Sequence, residues 1–467
     1  MSAITTAKEN DPCQSTDTHR PATVHSPESF GSSVTTAAET DVDEKPKWGK
    51  NDAYDNGPDG GYGWFVLIGA FMAQFTAFGV MQAHYEQVFQ NVPNAQLQLS
   101  FAGTFMELFV DLMAPVFQLL SSRFGIRPVL ILGSLISVLG LELAGFTTQI
   151  WHLYLTQGVM FGAGASLLYV AAMSVPAQWF NKRRGLGLSL VSSGAGVGGV
   201  VLPFLVTEMN KKLDSAWTYR ILGFVCLAGN VITCLLVKEK YPRTKKLKTA
   251  EDGEEDPSTP PTKLSETFDF SILKDVNYLI WVISTMVSVM GYFVPFFFLP
   301  SYAAHLGYPP SDSTSLTAVM AGCTCIGRIA VGYISDRIGR MNALIICHII
   351  SSLAAFLIWT FADTYGTLMA FATVFGLVCS SYFALMSPIT ATIVGIDLFP
   401  TGLSVLLLTN MIPVFGPSIA SAIETSVVAY SEPYFSYKMF TGVTFLIGAF
   451  ILIFLKLKMT KSLFSKI

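Results

Sequence analysis

Four ionisable side chains stand inside apolar runs, where a charge is costly unless it faces water or a partner. Arg328 lies in the stretch Gly322-Cys323-Thr324-Cys325-Ile326-Gly327-Arg328-Ile329. An arginine at the centre of a bilayer costs about 2.5–3.5 kcal/mol on insertion scales, and its planar fork of donors suits a carboxylate. Either it faces an internal cavity, or its stem snorkels toward the end of the run, where Asp336 follows two turns later. Glu107 and Asp111 are four residues apart and so share one helix face. Two carboxylates crowded in a low-dielectric span favour sharing a proton, which is what a proton-coupling site requires. The alternatives are a wet vestibule or pairing with a cation from another helix. Glu142 is similarly out of place and is expected to make a buried hydrogen bond.

Other chemistry is not signalled. Gly194-Ala195-Gly196-Val197-Gly198-Gly199 mimics a phosphate loop, but it sits inside an apolar helix with no strand before it, so close helix packing is expected. Gly158 and Gly162 read the same way. The seven cysteines (13, 226, 234, 323, 325, 347, 379) include no CxxC pair and no histidine at metal spacing, so free thiols are expected and no metal or cofactor. No Ser/His/Asp constellation is visible, and an enzyme is not expected.

The elements that hold these residues are membrane spans. Of 467 residues, 51% are hydrophobic and 13% charged, far below the roughly 25% charged of soluble domains, and the mean hydropathy is +0.50. No nucleic-acid partner is implied by the net charge of -3. Runs long enough to cross 30 Å of hydrocarbon occur at roughly 63–84, 99–120, 128–147, 152–178, 186–208 and 217–237, then 275–303, 313–334, 341–362, 366–393, 400–427 and 436–456. The expected fold is an all-α membrane protein of twelve transmembrane helices in two six-helix bundles. Its expected parts are a disordered tail (1–58), the first bundle (59–237), a linker (238–273), the second bundle (274–456) and a C-terminal tail (457–467). The first run is long enough to span and is read as an uncleaved start.

Basic residues gather in alternate loops, at Arg123 and Arg127, Lys182 to Arg184, Arg337 and Arg340, and Lys456 onward; Lys211 and Lys212 are the exception. The positive-inside bias then makes both termini cytosolic. Arg123-Phe124-Gly125-Ile126-Arg127, after the second span, is repeated after the eighth as Arg337-Ile338-Gly339-Arg340, so the halves are related. Such parallel repeats place a substrate site near the midplane between them.

These features resemble the major facilitator superfamily. The resemblance rests on twelve spans, a long central loop, and Gly332-Tyr333-Ile334-Ser335-Asp336-Arg337-Ile338-Gly339-Arg340 between the eighth and ninth. Within the superfamily, Asp59-Gly60-Gly61-Tyr62-Gly63-Trp64 and Trp179-Phe180-Asn181-Lys182-Arg183-Arg184-Gly185-Leu186 resemble the monocarboxylate transporter family, in its fungal branch. The resemblance implies alternating access, with Arg328 binding a substrate carboxylate. It departs at Gln82 and Thr324, where animal members carry the Lys and Asp that handle a proton, so their lactate chemistry is not carried over. Gln82, Thr324, Phe298 and Tyr302 are further candidates to line the site, and His84 to stand at its outer mouth.

At the loops, Asp336 can pair with a neighbouring arginine or sit at a helix N-terminus. With Arg337, Arg340 and Arg123 it is a candidate latch between two global states; the first copy has Ser122 in place of the Asp. The substrate expected is a monocarboxylate or other small organic anion, with proton coupling a further expectation, in the plasma membrane. Riboflavin uptake and efflux of an acidic secondary metabolite are alternatives, and a non-transporting receptor is a reading of a different class.

Overall fold

The computed structural model describes residues 60–76, 95–210, 213, 215–240, 270–427, 433–460, 462 and 465. The expected N-terminal tail, Asp59, Gln82, His84, Cys13, Lys211, Lys212 and most of the central linker lie outside these residues. Among the described residues there is no strand. Chain order gives α1 (Gly63–Thr76), α2 (Ala95–Leu112), α3 (Ala114–Phe124) and α4 (Ile126–Ala144). After α5 (Ile150–Leu153) the turns widen over Tyr154–Phe161 before α6 (Gly162–Ser174), which is followed by α7 (Arg184–Asn210) and α8 (Ser215–Leu236). The second half has α9 (Val276–His305), α10 (Pro310–Ile338), α11 (Arg340–Leu353), α12 (Tyr365–Cys379), α13 (Ser381–Asn410), α14 (Gly416–Val427) and α15 (Phe435–Thr460).

Among the described residues, ten segments are long and apolar enough to cross a membrane, an eleventh is bent, and α1 is a shorter apolar helix. The bent one joins α2 to α3 at 42°. Pro115 opens α3, where its missing amide costs nothing and its ring forbids a straight continuation. A similar break divides α13 into two spans at Gly395, whose φ of +78° is a left-handed conformation open to glycine. Beyond it Pro413 starts a tight turn between α13 and α14. Ile272, in the stretch expected as linker, is buried against Gly402.

Apolar packing is not uniform through the thickness. At the end carrying the Arg- and Lys-rich loops, one continuous core joins both halves, from Val66, Phe117 and Leu188 to Trp281, Leu385 and Leu455. At the far end the core divides: Met106, Leu141, Phe161 and Tyr219 cluster in the first half, and Tyr292, Trp359, Phe371 and Phe445 in the second. Among the described residues, therefore, the halves are sealed at the basic end and packed separately at the other.

The glycine run lies within α7 and packs as expected. Gly194 and Gly198 rest on the Phe71 and Phe75 carbonyls of α1, while Gly196 faces Cys325 of α10. No phosphate loop is formed; these glycines let α7 approach α1 on one side and α10 on the other. The six described cysteines are free.

Candidate functional site

A cavity of about 130 Å³ lies where the three apolar clusters meet. Its lining is drawn from α1, α2, α6 and α7 of the first half and from α9, α10 and α13 of the second. Arg328 is on its wall. Gly327 lets α10 press on the Leu377 carbonyl of α12, which leaves the Arg328 side chain directed toward α7. There its Nη1 donates to the Ser192 carbonyl at 2.7 Å and contacts the Ser192 hydroxyl at 3.3 Å. The guanidinium lies over the Phe383 ring at 5.4 Å, and the residue is 9% exposed. Its Nε is buried without an acceptor, and among the described residues no carboxylate pairs with it.

Glu107 and Asp111 of α2 line the same cavity. Asp111 is buried and Glu107 half-buried, and neither has a hydrogen-bond or ion-pair partner among the described residues. One positive and two carboxyl groups thus share one cavity without neutralising one another directly. Glu142 lies outside it, on α4 against Gly223 of α8. Its Oε1 has no hydrogen bond, contrary to the expected buried one.

Three other expected lining residues are placed elsewhere. Thr324 is buried one turn before Arg328, and its hydroxyl donates to the Ala321 carbonyl of its own helix. Phe298 stacks on Tyr437 at 3.9 Å. The Tyr302 hydroxyl donates to the Ala362 carbonyl and accepts from Lys438 Nζ at 3.0 Å. Both belong to the far-end core of the second half. The aromatic side chains that do line the cavity are Tyr169, Tyr292, Phe293 and Phe383, and sequence reasoning passed over them because aromatic residues occur throughout the spans.

The basic end is closed by polar contacts across the halves. Asp336, near the end of α10, accepts from the Gly185 and Leu186 amides at 2.9 Å each, one on each carboxylate oxygen. This caps the N-terminus of α7 with a negative charge. A Cβ at Gly185 would stand 2.5 Å from the carboxylate, so only glycine admits it. Arg340 donates to Thr392 Oγ1 at 3.1 Å and to the Asn181 carbonyl at 3.4 Å. Arg337 instead lies over the Tyr333 ring at 4.3 Å, Arg123 is exposed, and so are Lys182 and Arg183, while Arg184 is buried and donates to the Phe180 carbonyl.

A second clamp was not foreseen. Gln118 of α3, 1% exposed, donates to Thr401 Oγ1 at 2.8 Å and accepts from Ser404 Oγ at 3.1 Å, both on α13. The two loop motifs also meet. Tyr62 packs on Trp179 and Trp64 on Phe180, with Gly60 and Gly61 turning at positive φ just before.

A multi-pass helical membrane protein with a cavity between its halves is the class these features define. The family model described as Major Facilitator Superfamily matches residues 63–364 and 282–465. The chain belongs to that superfamily. It is 28% identical over 360 residues to "MFS transporter asaE" of Aspergillus flavus, covering 75% of this chain and 78% of that one. It is 27% identical over 410 residues to "Agnestins efflux protein AgnL12" of Paecilomyces divaricatus, covering 86% and 89%. Among solved structures, the proton:xylose symporter XylE aligns with a TM-score of 0.62 at 12% identity, over 84% of this chain and 94% of that one. At that identity the likeness concerns the fold.

Proposed function

We propose that this protein is a secondary transporter of organic carboxylates that works by alternating access, with Arg328 as the anion-recognising group. The observation that carries the reading is the Arg328 Nε, buried on the cavity wall with no acceptor. A desolvated donor of a cation left unpaired is costly, and a bound carboxylate supplies the missing acceptor. Efflux of an acidic metabolite is favoured over uptake of a very small acid. Two relatives bear the names of efflux proteins. The monocarboxylate branch is supported by the two loop motifs that pack together at the basic end.

Glu107 and Asp111 are the proton-coupling pair of this reading. Without a cationic partner among the described residues, they can take a proton from one side and release it to the other as the cavity changes access. The basic end is the cytosolic one and the membrane is the plasma membrane. In the state described here, the Asp336 and Gln118 contacts hold the cytosolic side shut.

The test is uptake and efflux in cells lacking the protein and in cells overexpressing it, across a panel of carboxylates and riboflavin, with Arg328→Gln as control. Carboxylate flux that follows expression and disappears in the variant supports the reading. Normal flux in the variant, or riboflavin as sole cargo, overturns it.

A further inference from the structure

The first half contributes a polar group to the cavity that neither the proton pair nor Arg328 accounts for. Gln74 of α1 is 1% exposed and lines the cavity. Its Nε2 is buried with no acceptor, and among the described residues its carboxamide has no partner at all. Burying an amide without compensation costs about 1–3 kcal/mol by mutational measures. A glutamine in that position is therefore unsatisfied until something fills the space beside it.

Its placement relative to Arg328 is fixed by α7. Gly194 brings α7 against α1, where a Cβ would lie 3.1 Å from Gln74 Cβ. Two residues earlier on the same helix, Ser192 holds Arg328. Gln74 and Arg328 thus flank one stretch of α7 from opposite halves of the molecule. Asn410, the other carboxamide on the wall, is already engaged with the Tyr382 hydroxyl at 2.8 Å.

What lies around the two groups is aromatic. Tyr292 packs edge-on against Phe293 at 4.9 Å and against Phe383 at 5.0 Å, so a continuous aromatic wall runs beside the guanidinium. Such a surface favours a flat ring, stacked or edge-to-face.

We infer that Gln74 is a specificity-determining residue. It hydrogen-bonds a second oxygen, a hydroxyl or keto group, on an aromatic carboxylate whose acid group is held by Arg328. This deepens the proposed function and rests on its reading of Arg328. A carboxamide both donates and accepts, so a substrate hydroxyl can satisfy either end of Gln74. An acid without that oxygen leaves Gln74 unpaired as before, forgoes this bond, and binds more weakly than its hydroxylated partner.

The experiment is calorimetric titration of the purified full-length protein with matched acids: benzoate against 4-hydroxybenzoate, cinnamate against 4-hydroxycinnamate, and lactate as an acid with a hydroxyl but no ring. The wild type is expected to bind the hydroxylated member of at least one pair about tenfold tighter, and lactate at least tenfold weaker than that member. Gln74→Leu removes the preference while leaving the unsubstituted acid within about twofold. Gln74→Met, closer in shape, serves where the leucine variant does not fold. Arg328→Gln abolishes binding of both members.

No hydroxyl preference in the wild type, a preference that survives in Gln74→Leu or Gln74→Met, or lactate binding as tightly overturns the inference and leaves Arg328 standing. Equal binding by Arg328→Gln, or no binding of any acid, overturns the reading of Arg328 and this inference with it.

Discussion

Arg328 shows how one residue can be read from both directions. In the sequence it is an arginine that an apolar run should not contain; in the structure it is a buried guanidinium held by Ser192 with its Nε unmet. Lysine keeps the charge but loses the planar fork, so Arg328→Lys is expected to retain weak transport and Arg328→Gln none. Transport rates in proteoliposomes check the order. For Glu107 and Asp111, the double variant Glu107→Gln, Asp111→Asn is expected to move substrate at a rate that no longer changes with pH. Initial rates across pH 5 to 8 measure this, and an unchanged pH profile removes these residues from the proton path. Charge made these three legible. Gln74 was not, because a sequence does not show whether an uncharged amide in an apolar helix has found a partner. Tyr292 and Phe383 could not be told from the many rings that face lipid or core.

At the scale of elements, the spans were legible because each needs about 20 apolar residues, and the glycine run in α7 because it lay inside one. Asp336 was readable as a helix-terminus group, and it does cap α7. The Gln118 clamp was not, since nothing in sequence pairs a glutamine with Ser404 and Thr401 across 286 and 283 positions. The bend after Met113 has its cause in Pro115, a signal present in the sequence and passed over. Asp336→Asn keeps the shape but weakens a charge-assisted cap worth about 1 kcal/mol, so the ratio of open to sealed states should rise up to about fivefold. Labelling a cysteine introduced at Val331, buried in the seam, by a membrane-impermeant maleimide should speed up accordingly. Gly185→Ala, which would collide with the same carboxylate, should act in the same direction. An unchanged labelling rate in both removes the latch role.

At the scale of the whole molecule, the division of the core explains how a single chain can present two faces. One apolar cluster bridges the halves at the basic end, while two separate clusters fill the far end. Under the proposed alternating access, a rocking motion about the cavity would exchange packing at one end for packing at the other without dismantling either half-core. The division into two halves was expected from the loop that recurs as Arg123-Phe124-Gly125-Ile126-Arg127 and Arg337-Ile338-Gly339-Arg340. Which end is sealed was not, because the sequence is common to both states. What selects between them, on this account, is whether Arg328 and Gln74 have found their acceptors.

The most direct test of that claim is solute counterflow: proteoliposomes preloaded with 4-hydroxybenzoate, exposed to a trace of the labelled acid outside, comparing wild type with Arg328→Gln. Counterflow needs only binding and alternating access, with no driving gradient. The account predicts transient accumulation of label in the wild type and none in the variant, with both proteins equally folded. Accumulation in Arg328→Gln equal to the wild type would contradict it.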